Sequence, residues 1–264
     1  MPAHTDDGAF GRDVSRARLN DRRLVHAVMI SYLGWGGVLK TFRRHGIDMA
    51  IVEMEHNHFT WADVDDLVRS ANAYDVLSVV RVADYTYANV TRALDLGADG
   101  ILVPRLSSRA EFEEVIDAMR LPPRGRKGVG GHDFAVDDLD VKLRDYNTDK
   151  LLLVQVENVA FVKDLPAILA TGEIAGVIIG PFDLSVDLGA PGDFAHPQFK
   201  AVVSDVLQMC QGAEVSCGMF LSDDDAVREW VSEGMNLAWV GSDLAFIDQS
   251  MAMSADLIRE LRSR

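Results

Sequence analysis

The stretch that decides the fold runs from residue 48 to residue 82, DMAIVEMEHNHFTWADVDDLVRSANAYDVLSVVRV. Two short apolar runs, 48–54 and 76–82, read as strands because β-branched residues dominate them and polar clusters bound them. Between them, residues 60–71 place Trp61, Val64, Leu67, Val68 and Ala71 on one helical face, with Thr60 as N-cap. Strand, helix, strand within so short a span is a βαβ unit, which forces parallel pairing. The pattern extends in both directions. Apolar runs at 24–30, 100–104, 151–157, 176–180, 215–221 and 237–241 bring the count to eight strands. Ser108 and Glu111 form a capping box ahead of a helix over 108–120, and Gly97 stands where a helix ends after TRALDL. Eight strands alternating with helices predict an α/β protein, a closed (β/α)8 TIM barrel. A doubly wound open sheet is the alternative, but no G-x-G-x-x-G follows the first strand. KGVGGHDF at 127–134 is glycine-rich yet lacks the ending of a phosphate loop. It falls in a long connection, 105–150, of the kind that often serves as a lid or an insertion. The expected organisation is an N-terminal extension, 1–23, and one barrel domain, 24–264.

The bulk properties narrow the partners. The 264 residues carry a net charge of −15, which argues against nucleic acid and anionic membrane. No apolar signal core and no run long enough to span a bilayer is seen, so a cytoplasmic protein is expected. The two cysteines, Cys210 and Cys217, fit no zinc spacing and read as reduced buried thiols.

A barrel places its chemistry at the C-terminal ends of its strands, and ionisable residues collect there. The second strand runs into Glu53, Glu55 and His56, and the third ends in Arg81. The fifth ends in Gln155 and Glu157, and the sixth runs into GPFDLS with Asp183. Gln155 and Glu157 are two apart and share a face. Glu157 and Asp183, at neighbouring strand ends, can share one cation, and oxygen-only ligands favour Mg²⁺ or Mn²⁺. The alternative is a salt bridge to Arg81 or Lys127. Arg81 suits bidentate capture of a carboxylate; it could equally pair internally with Glu53 or Glu55. His56 could be a ligand, a base or a structural histidine, and His58 reads as a loop residue.

In this order the residues resemble the HpcH/HpaI family of class II pyruvate aldolases. IVEMEHNHF resembles the family's acid-x-glutamate-histidine motif, and VVRVADYTYANVTRALDLGADGILVPRLSS its arginine strand, L-D-x-G-A helix end and V-P strand. LPPRGRKGVGG resembles the P-P-x-G-x-R-G loop, and LLLVQVENVAFVKDLPAILATGEIAGVIIGPFDLSVDLG the Q-x-E strand and G-P-x-D-L-S loop. GMNLAWVGSDLAFI resembles the last strand. The likeness covers roughly 24–250. It implies a barrel of the phosphoenolpyruvate/pyruvate-binding type that reversibly cleaves 4-hydroxy-2-oxo acids to pyruvate and an aldehyde. It implies that Glu157 and Asp183 hold a divalent metal (Mg²⁺, Mn²⁺ or Co²⁺) and that Arg81 stabilises the enolate. His56 would manage the proton, paired with Asp95. Gln155, Gly180, Phe182, Asp183 and Leu221 would contact substrate, with Glu53 and Glu55 in support. It also implies a homo-oligomer, commonly a hexamer, with C-terminal helices exchanged; the apolar stripe at 247–261 permits that. Two rivals stand beside it: oxaloacetate decarboxylation or another carbon–carbon step through the same enolate, and a non-catalytic 2-oxo acid-binding barrel. The chain departs from the family pattern at Glu53, usually aspartate, at Phe182, often alanine, and at Lys127, usually arginine.

Overall fold

The computed structural model describes residues 10–131, 134 and 139–263. All eight expected runs are strands: β1 (Val25–Ile30), β2 (Met49–Glu53), β3 (Leu77–Arg81), β4 (Gly100–Val103), β5 (Leu151–Val156), β6 (Gly176–Ile179), β7 (Ser216–Leu221) and β8 (Leu237–Ser242). They pair in parallel, in chain order, and close β8 onto β1. The helices are α1 (Arg12–Asn20), α2 (Val38–His45), α3 (Trp61–Ala73), α4 (Tyr87–Asp95), α5 (Arg109–Met119), α6 (Leu139–Asp149), α7 (Val159–Leu169), α8 (Pro181–Asp187), α9 (Pro197–Gly212), α10 (Asp224–Ser232) and α11 (Asp243–Arg262).

Local chemistry fixes the helix ends. Thr60 and Asp63 cap α3 reciprocally. At α5 only half of the expected box forms. Ser108 accepts from the Glu111 N–H at 3.3 Å, while the Glu111 carboxylate turns back to the N–H and hydroxyl of Ser107, at 2.6 and 2.9 Å. Gly97 follows α4 at φ 92°, the left-handed conformation that ends helices.

Strand alternation sorts the apolar side chains into two cores. Ala27, Met29, Met49, Ile51, Leu77, Val79, Leu102, Leu153, Ile178, Leu237 and Trp239 fill the barrel interior. Val28, Val52, Val80, Ile101, Val154, Ile179, Met219 and Leu221 pack outward against the helices. This explains why the strands read as unbroken apolar runs: both faces are buried.

Residues 12–20, within the segment expected as an extension, form α1 across the N-terminal end of the barrel. Leu19 enters the interior core. Below it lies a buried charged floor. Asp48 accepts from the Ser15 hydroxyl (3.0 Å), Arg18 (2.7 Å) and the His26 N–H (2.9 Å). Asp99 accepts from the N–H and hydroxyl of Ser78 (2.8 and 3.1 Å) and pairs with Arg12 and Arg16.

Candidate active site

The same alternation that fills the interior aims the polar residues into its upper mouth. Glu53 continues the inward face of Met49 and Ile51, Arg81 that of Leu77 and Val79, and Gln155 that of Leu151 and Leu153. Glu53 and Arg81 are register partners across β2 and β3. Their side chains form an ion pair, and the second Glu53 oxygen accepts from the backbone N–H groups of Glu55 and, at 3.0 Å, His56. One carboxylate therefore holds the arginine and folds the loop that carries the histidine. Asn57 secures the same loop, donating to the Glu53 carbonyl at 2.6 Å while its own oxygen accepts from the Phe59 N–H at 3.2 Å.

From Arg81 the contacts continue across the mouth. Its guanidinium lies 3.4 Å from Glu55 and donates to the Gln155 oxygen at 3.5 Å; the Gln155 amide donates to Glu157 at 2.8 Å. Gly180 is required here: a Cβ on it would come within 2.7 Å of the Glu157 side chain and 2.8 Å of the Gln155 amide nitrogen. The other Glu157 oxygen accepts from the Arg105 N–H at 2.6 Å. Arg105 sits at φ 61°, a left-handed conformation unusual outside glycine. Sequence reasoning passed over Arg105; the VPR ending of β4 was its signal.

The electrostatics are unbalanced. Burial pushes the Glu157 carboxyl up to about 7, and Glu55 and Asp183 push the same way against Arg105 and Arg81. Burial also raises Glu55, with Glu53 and Asp183 adding to it and Arg81 and Arg105 opposing. Both Glu55 oxygens are buried without a hydrogen-bond donor. Of the alternatives open for the carboxylates, Lys127 is engaged elsewhere. Its ammonium is buried, 2.6 Å from Asp95 and over the rings of Phe134 and Tyr146. Among the described residues no group of three or more His, Cys, Asp or Glu is arranged around a metal. Glu157, whose oxygens each accept one hydrogen bond, and the exposed Asp183 nevertheless offer oxygen ligands of the kind that fit Mg²⁺ or Mn²⁺, which take their remaining ligands from water and substrate.

A cavity of about 280 Å³ opens on this network, lined by His56, Arg81, Gln155, Gly180, Phe182 and Asp183, together with Met29, Pro181, Phe220 and Trp239. A second cleft, of about 260 Å³, lies beside Glu157 and Asp183 and is bordered by Arg105, Asn158, Val186 and Asp187. His56 is 60% exposed and 3.5 Å from Glu55.

Two sequence assignments change. Leu221 is buried in the outer core and Phe220 takes the place in the cavity, because β7 alternates and Gly218 and Phe220 share the inward face. Asp95 does not meet His56 within one chain. The helix α4 runs antiparallel to the strands, so Asp95, its last residue, is carried away from the mouth and pairs with Lys127. Met29, Phe220 and Trp239 were missed because runs buried on both faces hide which residues point inward.

Comparison with known proteins agrees with this architecture. The HpcH/HpaI aldolase/citrate lyase family model matches residues 37–249. The hydroxypyruvate/pyruvate aldolase of Roseobacter denitrificans is 30% identical over 205 residues, 76% of this chain and 80% of that protein. The 2-keto-3-deoxy-L-rhamnonate aldolase of Salmonella gallinarum is 27% identical over 221 residues, 83% of each. The crystal structure of an HpcH/HpaI aldolase from Desulfitobacterium hafniense superposes with a TM-score of 0.86 at 29% identity, covering 93% of this chain and 96% of that one. The chain belongs to the HpcH/HpaI aldolase/citrate lyase family and is an enzyme of the carbon–carbon lyase class.

Proposed function

We propose that the enzyme reversibly cleaves 4-hydroxy-2-oxo acids to pyruvate and an aldehyde, with a divalent cation held by Glu157 and Asp183. The observation that carries this reading is the contact chain from Glu53 through Arg81 and Gln155 to Glu157. It sets a guanidinium two contacts from Glu157, with Asp183 bordering both the cavity that holds Arg81 and the cleft that holds Glu157. Breaking the C3–C4 bond leaves an enolate, and the negative charge that develops on its oxygen needs a fixed positive partner. Arg81 supplies one from the protein. A cation held by Glu157 and Asp183 would supply Lewis-acid stabilisation of the developing charge. Gln155 orients both Arg81 and Glu157. The Gly180–Asp183 turn borders the cavity where the pyruvate carboxylate would sit. His56 takes the proton of the 4-hydroxyl as the C3–C4 bond breaks, and return of that proton to C3 of the enolate, after the aldehyde leaves, completes pyruvate and restores His56. Glu53 fixes both Arg81 and the His56 loop.

The test is pyruvate release from a 4-hydroxy-2-oxo acid after complete chelation, then after return of Mg²⁺, Mn²⁺ or Co²⁺. Activity lost and restored supports the reading; full activity without metal overturns it. Oxaloacetate passes through the same enolate and is the control. Pyruvate formed from oxaloacetate alone, with no aldol product from pyruvate and any aldehyde, would favour decarboxylation.

The same reading includes a homo-oligomer, a hexamer, in the cytoplasm. Its support is α11, whose Leu244, Phe246, Met251, Met253, Leu257, Ile258 and Leu261 are exposed, and two buried free thiols. Among the described residues no helix is long and apolar enough to cross a membrane. Asp95 could pair with His56 only from another copy, so that pair stands or falls with the assembly. Light scattering decides the oligomer.

A further inference from the structure

We infer that the aldehyde accepted at this site is apolar, of the aryl or branched-alkyl class, and not a polyhydroxylated or anionic one. The inference rests on the aldol reading and deepens it. It comes from sorting the cavity wall by what each residue has left to offer. Every polar side chain in the cavity already has a role at the pyruvate end: Arg81 and Gln155 belong to the contact chain, Asp183 to the carboxylate pair, and His56 to the proton. The rest of the wall is Met29, Pro181, Phe182, Phe220 and Trp239. Its one hydrogen-bonding side-chain group is the Trp239 indole N–H, and that is spent on the Gly241 carbonyl at 3.2 Å. The rings form one continuous surface. Phe220 meets Trp239 edge-on at 5.4 Å and lies tilted to Phe182 at 6.3 Å, and Phe182 meets Phe194 edge-on at 5.2 Å. Phe182 is 57% exposed, so it presents a free face. Sugar-like hydroxyls buried here would lose water and gain no partner, whereas an apolar body gains by burial. The guanidinium that could receive an anionic tail, Arg105, borders the neighbouring cleft together with Asp187.

The experiment compares kcat/KM for benzaldehyde, isovaleraldehyde, glyceraldehyde and succinic semialdehyde in aldol addition to pyruvate, in the wild type, Phe182→Ser, Phe220→Asn and Arg105→Gln. Circular dichroism and light scattering are recorded for each variant. The expected result is a preference for the two apolar aldehydes of at least about tenfold, narrowed about tenfold or more in Phe182→Ser or Phe220→Asn. In parallel, benzaldehyde is titrated into metal-free protein while tryptophan fluorescence is read. A saturable change that disappears in Trp239→Phe is expected. Preference for glyceraldehyde, or for succinic semialdehyde with loss in Arg105→Gln, overturns the inference and leaves the aldol reading intact. Dissociation of Phe182→Ser with an unchanged preference assigns Phe182 to a subunit contact and also overturns it. If no aldehyde reacts yet benzaldehyde still binds through Trp239, the aldol reading fails and the apolar pocket stands.

Discussion

The two ends of this barrel bury similar charges and treat them oppositely. At the N-terminal end, Asp48 and Asp99 each collect three or more donors from side chains, backbone and arginines. At the C-terminal end, Glu55 has two buried oxygens without a donor, and Glu157 is held near neutrality by burial and by its carboxylate neighbours. Burying a carboxylate is tolerable only with compensation. The lower end supplies that from within the chain. The upper end leaves it incomplete at Glu55, the pattern expected of a functional site rather than a structural one. Charged residues at opposite ends of the same strands should therefore fail in different ways.

The largest contrast pairs Asp183→Asn with Asp99→Ala. The first should cut kcat by roughly 10³-fold or more with little change in melting temperature, because it removes half of the proposed cation site. The second should cost about 3 kcal/mol, since it strands Arg12 and Arg16 around a vacated buried site, and leave turnover per folded molecule near wild type. An Asp99→Ala protein that stays stable but loses turnover would erase the distinction between the two ends. His56→Ala comes next, at about 10²-fold in kcat. The ring is mostly exposed, so stability should change by less than about 0.5 kcal/mol. Unchanged kcat would remove His56 from the proton role.

The contrast between the ends also shows what could be read from the sequence. The barrel was legible because βαβ alternation is a local, repeated signal, and strand ends are fixed by the fold. Position alone puts Glu53, Arg81, Gln155, Glu157 and Asp183 at strand ends, while their roles come only from the family resemblance. The facing of β7 and β8 is not legible: a run apolar on both faces carries no alternation, so nothing in the sequence separates Leu221, which packs outward, from Phe220 and Trp239, which line the cavity. Asp95 was read as a partner of His56 from motif likeness. The direction of α4, which carries it away from the mouth, is visible only once the strands are closed.

A third test uses pH on the metal-free chain. Glu157 is raised to about 7 from an ordinary 4.5, so the folded state favours its protonated form. A raised folded pKa contributes stability that is complete below about 4.5 and is lost as pH rises through about 7. Glu157→Gln, neutral throughout but with one oxygen to accept from Arg105 or from Gln155, should gain on the wild type as pH rises from 4 to above 7.5. The gain between the two pH values should be about 3 kcal/mol, read from urea unfolding. An equal offset at both pH values would mean that burial does not hold Glu157 near neutrality.

The smallest effect tests the residue where the chain departs from its family. Glu53 does two jobs with one side chain: one oxygen meets Arg81, and the other accepts from the Glu55 and His56 backbone. Aspartate is one methylene shorter. If the loop is rigid, Glu53→Asp keeps one set of contacts and stretches the other, and kcat/KM should fall about tenfold, as expected for a group that orients others without touching substrate. Comparison with oxaloacetate decarboxylation distinguishes which set is lost. A stretched Arg81 contact lowers both activities, because both pass through the enolate that the guanidinium stabilises. A released loop moves His56 and lowers aldol cleavage alone, because only that reaction needs the 4-hydroxyl proton removed. If Glu53→Asp instead raises activity on both substrates, the loop re-forms around the shorter acid. The extra methylene then belongs to neither contact, and the chain's departure from its family at this position needs another cause.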